Sequence, residues 1–355
     1  MVVLRNWQKQ IIDDFPAIVK QHRRFILKAP TGAGKTILAS EIVEQFYKGK
    51  KILVLCHRLV LLEQLQKALS VRHSVHKLSV SEDGKAFDGY DILLSTNMRA
   101  KDVLEEAIKM ADLIIVDEAH RVSPNGTGYK KIIDDFENEG KTGAQFMGLT
   151  ASPERRTGDQ RDQLSLAFDA IIDCANIETL IEEGILVPPI YRPHFIHDLD
   201  LSSIDISSGD FPVSKLAPAI VKSSMIDYAT FIYLDERQNV PSAPISAWFC
   251  PDVTVAEATL EKVRANGIEA EIVTASTPIA ERMELLEAHE NGAIEAMVSV
   301  GVLAEGWDNP HCNLIVHLRP TLSKVVWGQT VGRGLRSAEG KDRCIVIDVS
   351  SNWST

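Results

Sequence analysis

Short runs of aliphatic and β-branched residues alternate along the chain with longer stretches whose apolar positions recur every three or four residues. The short runs predict strands at Phe25–Leu27, Lys51–Cys56, Asp91–Ser95, Asp112–Asp117 and Gln145–Thr150. The longer stretches predict helices between them, for example over Leu59–Leu69 and Lys101–Met110. A second series of strands is predicted at Ile245–Phe249, Glu271–Val273, Ala296–Val300, Asn313–Leu318 and Arg343–Val349. Alternating strands and helices are the pattern of a parallel sheet covered by helices, and here the pattern occurs twice. Between the two series, Val187-Pro188-Pro189 closes the first, and Asp198–Asp210 is rich in Ser and Asp with no sustained period. The pattern therefore predicts one α/β domain over 1–184, a linker over 185–212 and a second α/β domain over 213–355 that opens with a helix across Lys215–Glu236.

A length of 355 residues agrees with two domains, since it exceeds what one hydrophobic core serves. With 45% hydrophobic and 25% charged residues and a mean hydropathy of −0.03, the composition excludes disordered and fibrous classes. No apolar run reaches the length of a membrane span, and the N-terminal apolar stretch is too short for a signal peptide, so a soluble cytoplasmic protein without membrane contact is expected. The five cysteines hold no CxxC pair; Cys56, Cys250 and Cys344 lie in strand-like runs and are expected as buried thiols, and no zinc is expected. His194 and His197 fall three apart on an extended run, point to opposite faces and are read as packing residues. The net charge of −11 argues against a polycation that coats nucleic acid but leaves room for a local phosphate-gripping groove.

The most specific chemical signal is Ala29-Pro30-Thr31-Gly32-Ala33-Gly34-Lys35-Thr36, placed between a strand and a helix. Glycines let backbone N–H groups turn inward around phosphates, and the following helix offers its positive end. Lys35 can reach the β- and γ-phosphates of ATP, and the Thr36 hydroxyl can ligate Mg²⁺. The second signal is the apolar strand that ends in Asp117 and Glu118. Two carboxylates at a strand end can divide the work, Asp117 holding the Mg²⁺ shell and Glu118 polarising the attacking water.

Together with Ala119 and His120 these residues read Asp-Glu-Ala-His, and the set resembles the superfamily 2 helicases of the DEAH type. The resemblance implies two tandem RecA-like domains around an ATP cleft. Gly148-Leu149-Thr150-Ala151-Ser152-Pro153 resembles the family's third motif, which makes His120, Thr150 and Ser152 coupling residues. Leu4-Arg5-Asn6-Trp7-Gln8 resembles its adenine-recognising motif, which places Arg5 and Gln8 with Thr31, Gly32, Ala33, Gly34, Lys35 and Thr36 in the ATP site. A Gln amide donates and accepts along one edge, matching N6 and N7 of adenine. Gly301–Pro310 looks like the fifth motif and Gln329–Arg336 like the sixth. They bring Gly306 and Asp308 to the nucleotide, couple Gln329 to the γ-phosphate or the attacking water, and make Arg333 and Arg336 arginine fingers delivered from the second domain to ATP held by the first.

Within superfamily 2, the nearest likeness is to RadD-like and type III restriction (ResIII)-type DNA helicases, carried by the third, fifth and sixth motifs and by Leu318-Arg319-Pro320-Thr321. Cys56-His57-Arg58-Leu59 stands where an RNA-type DEAD-box protein would carry Pro-Thr-Arg-Glu-Leu. The resemblance implies an ATP-dependent DNA helicase or translocase, acting in repair or recombination on single-stranded or branched DNA. An RNA-remodelling ATPase and the motor subunit of a restriction or defence complex, with a protein partner supplying cleavage, are the alternatives. The segments expected to grip phosphates are His57-Arg58 through Gln64, Ser95-Thr96-Asn97 and Ser299 through Gly301, with the Arg155-Arg156 pair nearby.

Overall fold

A computed structural model describes the chain apart from residues 1–2, 57–65, 67–68, 71–74, 78–85, 88, 97–100, 123–128, 153–163, 165, 207–209, 305–306 and 351–355. The chain divides into two compact units, Met1–Asn176 and Ile177–Thr355.

The first unit holds strands β1 (Arg24–Lys28), β2 (Ile52–Cys56), β3 (Val75–Lys77), β4 (Ile92–Thr96), β5 (Leu113–Asp117), β6 (Gln145–Thr150) and β7 (Ala170–Asp173). Its helices are α1 (Asn6–Gln21), α2 (Lys35–Phe46), α3 (Lys101–Met110) and α4 (Tyr129–Glu139). Among the described residues the strands form one sheet in the order β3-β4-β2-β5-β6-β1-β7, with every pairing parallel. The central strands β2 and β4 are buried along their whole length, as a sheet covered on both faces requires. One core cluster joins Leu53, Ile114, Phe136, Phe146 and Phe168 on one face of that sheet.

The second unit holds α5 (Ile177–Glu182), β8 (Pro189–Pro193), α6 (Val213–Lys222), α7 (Met225–Glu236), β9 (Ser246–Phe249), α8 (Val253–Ala265), β10 (Ala270–Val273), α9 (Ile279–Glu290), β11 (Ala296–Ser299), β12 (Leu314–His317), α10 (Lys324–Gly334) and β13 (Cys344–Asp348). Its sheet runs β10-β11-β9-β12-β13-β8, again all parallel. Cys56, Cys250, Cys312 and Cys344 are buried thiols.

Two sequence expectations give way here. The stretch 185–212 is not a free linker: β8 is the edge strand of the second sheet, with Pro189 opposite Cys344 and Pro193 opposite Asp348. Prolines at both ends of a five-residue run are tolerated because an edge strand pairs on one side only. Just before it, Val187 N–H donates to Leu335 O at 2.7 Å and Leu186 bridges to Arg336, which ties the segment to the end of α10. The helix expected across Lys215–Glu236 is two helices. Ser223 Oγ donates to Ile220 O at 2.8 Å, and Asp198 accepts from both the backbone N–H (2.8 Å) and the hydroxyl (2.9 Å) of Ser224, so the backbone turns there. The helix expected over Leu59–Leu69 lies mostly outside the described residues, as do the candidate contacts His57, Arg58, Gln64, Asn97, Arg155 and Arg156 and the candidate ATP residue Gly306.

Candidate functional site

The phosphate-loop sequence leaves the end of β1 and enters α2 through two left-handed residues, Gly32 at φ 81° and Gly34 at φ 96°. A side chain at either position would be strained, so the loop needs glycine there. A Cβ at Gly34 would also stand 2.9 Å from Gln8 Nε2. Leu38 N–H is bonded to Gly34 O at 3.1 Å, and the amides of the preceding turn are those a helix leaves for a cap or an anion. Lys35 Nζ reaches back along the loop to Ala29 O at 2.9 Å and Pro30 O at 3.1 Å.

Arg5 and Gln8 bear on this loop from the start of α1. Arg5 donates from one guanidinium nitrogen to Gly32 O (3.1 Å) and Ala33 O (2.6 Å), and Gln8 Nε2 donates to Gly34 O at 3.0 Å. Gln8 Oε1 accepts the Arg5 backbone N–H at 2.9 Å, which caps the helix. Gln8 is only 1% exposed and both ends of its amide are bonded within the chain, so it braces the loop from behind, and the expectation that this amide reads an adenine edge does not fit the arrangement.

At the end of β5, Asp117 accepts its neighbour's amide: Glu118 N–H donates to Asp117 Oδ1 at 3.0 Å. Glu118 takes φ 52°, ψ 50°, a left-handed conformation that costs a β-carbon-bearing residue energy and that the surrounding turn holds in place. His120 is buried. Its Nδ1 lies 3.2 Å from Glu118 Oε2 and 3.0 Å from Thr150 Oγ1. Thr150 Oγ1 in turn accepts the Ser152 N–H at 3.2 Å. One imidazole nitrogen thus stands between the candidate hydrolytic carboxylate and the third-motif hydroxyl, and all three expected coupling residues form one connected group. Ala29 N–H donates to Thr150 O at 3.1 Å, which joins the phosphate loop to the same strand end.

In the second unit the sixth-motif helix α10 is capped by Ser323, whose hydroxyl accepts the Val326 N–H at 3.3 Å. The loop before it is anchored by buried Asp210, which accepts from the Thr321 hydroxyl (2.9 Å) and the Leu322 N–H (2.8 Å). Arg333 is 7% exposed and spends its guanidinium on its own unit: Nε and one terminal nitrogen donate to Ala304 O at 3.1 and 3.0 Å, and the other donates to Trp307 O at 2.7 Å. Arg336 donates to Trp307 O at 3.3 Å and pairs with Asp308. The pair differs in presentation, because the Asp308 side chain is 59% exposed while that of Arg336 is 17% exposed. Burial draws the Arg336 guanidinium below its ordinary pKa, and Asp308 opposes that shift. Gln329 is buried in α10.

Ser95, Thr96 and Ser299, which lie in segments expected to grip phosphates, are buried. Ser95 Oγ donates to Thr96 O at 3.1 Å, and Ser299 Oγ accepts the Leu303 N–H at 3.1 Å, closing a turn that passes through left-handed Gly301 at φ 69°. The hydroxyls of Ser95 and Ser299 shape the strand ends instead of lining a surface. Asp210 and His289 also hold these sites together and were not singled out by sequence reasoning. Each acts across a distance in sequence that no local pattern spans.

Two families match the chain: "Type III restriction enzyme, res subunit" over residues 1–155 and "Helicase conserved C-terminal domain" over residues 236–338. The chain is 28% identical over 98% of its length to the "Putative ATP-dependent helicase IRC3" of Saccharomyces cerevisiae, and covers 51% of that protein. It is 25% identical over 94% of its length to the "Type I restriction enzyme EcoAI endonuclease subunit" of Escherichia coli, covering 44% of it. The fold is shared with a fragment of "a putative HsdR subunit of a type I restriction enzyme from Vibrio vulnificus YJ016", with a TM-score of 0.75 at 21% identity over 99% of this chain and 65% of that one. The chain thus spans about half the length of these two curated relatives.

Proposed function

Because the chain belongs to the superfamily 2 helicases, with a first domain of the type III restriction res-subunit kind, we propose that it is an ATP-dependent DNA helicase or translocase. In this reading ATP hydrolysis drives movement on, or remodelling of, single-stranded or branched DNA in repair or recombination. The observation that carries it is the joined group Glu118–His120–Thr150, in which the carboxylate placed to polarise water touches the residue that touches the third motif. A change at the hydrolytic carboxylate is thereby felt at the end of β6.

The first unit's residues fit a nucleoside triphosphate. Left-handed Gly32 and Gly34 turn the loop's backbone as a phosphate cradle requires, and Lys35 lies along it. Thr36 and Asp117 are the residues that would hold Mg²⁺, whose charge offsets that of the phosphates. Glu118 orients and deprotonates the attacking water, with the His120 ring 3.2 Å from its carboxylate. Arg336 is the finger of this reading and Arg333 its support, since Arg333 is committed to Ala304 and Trp307. Asp308 would meet the ribose on giving up Arg336, and Gln329 would sense the γ-phosphate from α10. Because the hydroxyls of Ser95 and Ser299 are turned inward, phosphate contacts near them fall to backbone amides, which read DNA with little sequence preference.

A second reading, the motor subunit of a restriction complex working with a separate nuclease, is favoured by the likeness to the EcoAI subunit along most of the chain. The test is ATP turnover by wild type and Glu118→Gln with single-stranded, duplex and forked DNA and with single-stranded RNA. Stimulation by DNA in the wild type, with loss of turnover but retained ATP binding in the variant, is expected. Stimulation by RNA alone would favour an RNA-remodelling ATPase, and wild-type turnover by Glu118→Gln would remove the carboxylate from the mechanism.

A further inference from the structure

His289 is the one buried residue of α9, a helix whose Ile279 and Met283 are exposed at 68% and 62%. Arg282 ties the first turn of this helix to the carbonyls of Thr274, Ala275 and Thr277, and His289 anchors its last turn. The imidazole is fully buried, with Nε2 3.0 Å from Ser246 O at the start of β9 and Nδ1 3.3 Å from Asn309 Nδ2. A carbonyl can only accept and an amide NH₂ can only donate, so the ring carries its hydrogen on Nε2 and accepts at Nδ1. Burial pushes the His289 pKa down to about 4, which keeps the ring neutral and this tautomer in place at neutral pH.

Asn309 is clasped completely. Its Nδ2 also donates to His289 O at 3.2 Å, and its Oδ1 accepts the His311 N–H at 3.0 Å. The Trp307 ring lies against the imidazole, with centroids 5.7 Å apart. Residues 307–309 are therefore fixed from one side by a single histidine. On the other side the Trp307 carbonyl receives Arg333 and Arg336, and Asp308 pairs with Arg336.

We propose that His289 is a positioning residue for ATP turnover: through Asn309 and Trp307 it sets the loop on which Arg336 is aimed. This rests on the reading of Arg336 as the finger. His289 touches neither nucleotide nor reacting atoms, and its lever arm is α9, so displacement of that helix is transmitted to Arg336.

The two ring nitrogens can be tested apart. In His289→Gln the amide NH₂ can take the place of Nε2 and keep the bond to Ser246, while the acceptor facing Asn309 is lost. The expected result is a melting temperature within a few degrees of wild type, unchanged binding of ADP by calorimetry, and a kcat at least tenfold lower. Asn309→Ala should lower kcat by a similar factor, and the double variant should be no slower than the worse single one, because both cut the same link. Arg336→Ala is run beside them. If it is slow while His289→Gln turns over at the wild-type rate, the positioning role is overturned and the finger stands. If Arg336→Ala itself turns over normally, the finger reading falls and the positioning role falls with it. Additive losses in the double variant would also overturn the proposal. A measurement on the unaltered protein guards against variants that do not fold: ¹⁵N shifts should find His289 Nε2 protonated and Nδ1 bare, and the reverse tautomer would overturn the link.

Discussion

Gly148 on β6 passes so close to Ala119 of the Asp-Glu-Ala-His turn that a Cβ at 148 would stand 2.7 Å from the Ala119 Cβ and 3.0 Å from the Phe168 ring. Neither neighbour is the loose end of a flexible side chain. The third motif therefore begins with glycine for a packing reason: the turn that holds Glu118 in its left-handed conformation rests on bare backbone. Gly148→Ala should force that turn away from the sheet. Overpacking of this kind costs about 1–3 kcal/mol, and ATP turnover should fall by more than the loss of stability accounts for. Thermal melting and ATPase assays on the same preparation separate the two.

Gly34 makes the corresponding case for nucleotide binding. Gly34→Ala places a side chain at φ 96° and within 2.9 Å of Gln8 Nε2, which donates to the carbonyl of that same residue. The bond from Gln8 and the loop's shape should both be lost. ATP and ADP affinity should weaken at least tenfold by calorimetry, while the sheet, whose strands do not depend on residue 34, retains its far-UV signature. Retained affinity would mean that the loop closes on phosphates in another conformation.

The phosphate loop and the strand-end carboxylates were legible because each is written within a few consecutive residues: glycine where φ is positive, an apolar strand, then acid. The strands around them were legible for the same reason, from Gln145–Thr150 to Leu314–His317. What lay beyond reach depends on partners distant in sequence. Pro189–Pro193 reads as a linker until Cys344–Asp348 lies beside it. Ser95 and Ser299 read as members of phosphate-gripping segments until their neighbours bury their side chains. Arg333 and Arg336 are indistinguishable in the motif; both reach the Trp307 carbonyl, and what separates the buried clamp from its more accessible neighbour is the Ala304 carbonyl on Arg333 and the exposed Asp308 on Arg336.

That separation gives a prediction in two halves. Arg333→Ala removes the donor to two backbone carbonyls and should cost roughly 2–4 kcal/mol, seen as a lowered melting temperature of the second unit. Arg333→Lys, a point charge without the planar fork, should not restore it. Arg336→Ala should leave stability closer to wild type and cut turnover by on the order of a thousandfold, with nucleotide binding retained. A variant pair with the two effects exchanged would reverse the assignment of clamp and finger.

The second unit also carries a built-in response to acid. His317 is fully buried between Phe249 and Trp327, with Nε2 3.1 Å from Thr330 Oγ1 in α10. Burial, with the nearby Arg319 guanidinium adding to it, pushes its pKa down to about 3, and burial alone brings His289 to about 4. In the unfolded chain both titrate near the ordinary histidine value of about 6.5. Between that value and the folded-state values the unfolded chain binds more protons, so stability falls as pH falls. The contribution of the neutral rings is complete above about pH 6.5 and is lost progressively toward pH 4, at a slope approaching about 1.4 kcal/mol per pH unit for each ring. Denaturant unfolding followed at pH 7, 6, 5 and 4.5 should show this slope. His317→Gln should flatten it by one ring's share, although the variant is less stable at pH 7. A slope in His317→Gln as steep as in the wild type would mean that carboxylates, and not these two histidines, set the acid limit.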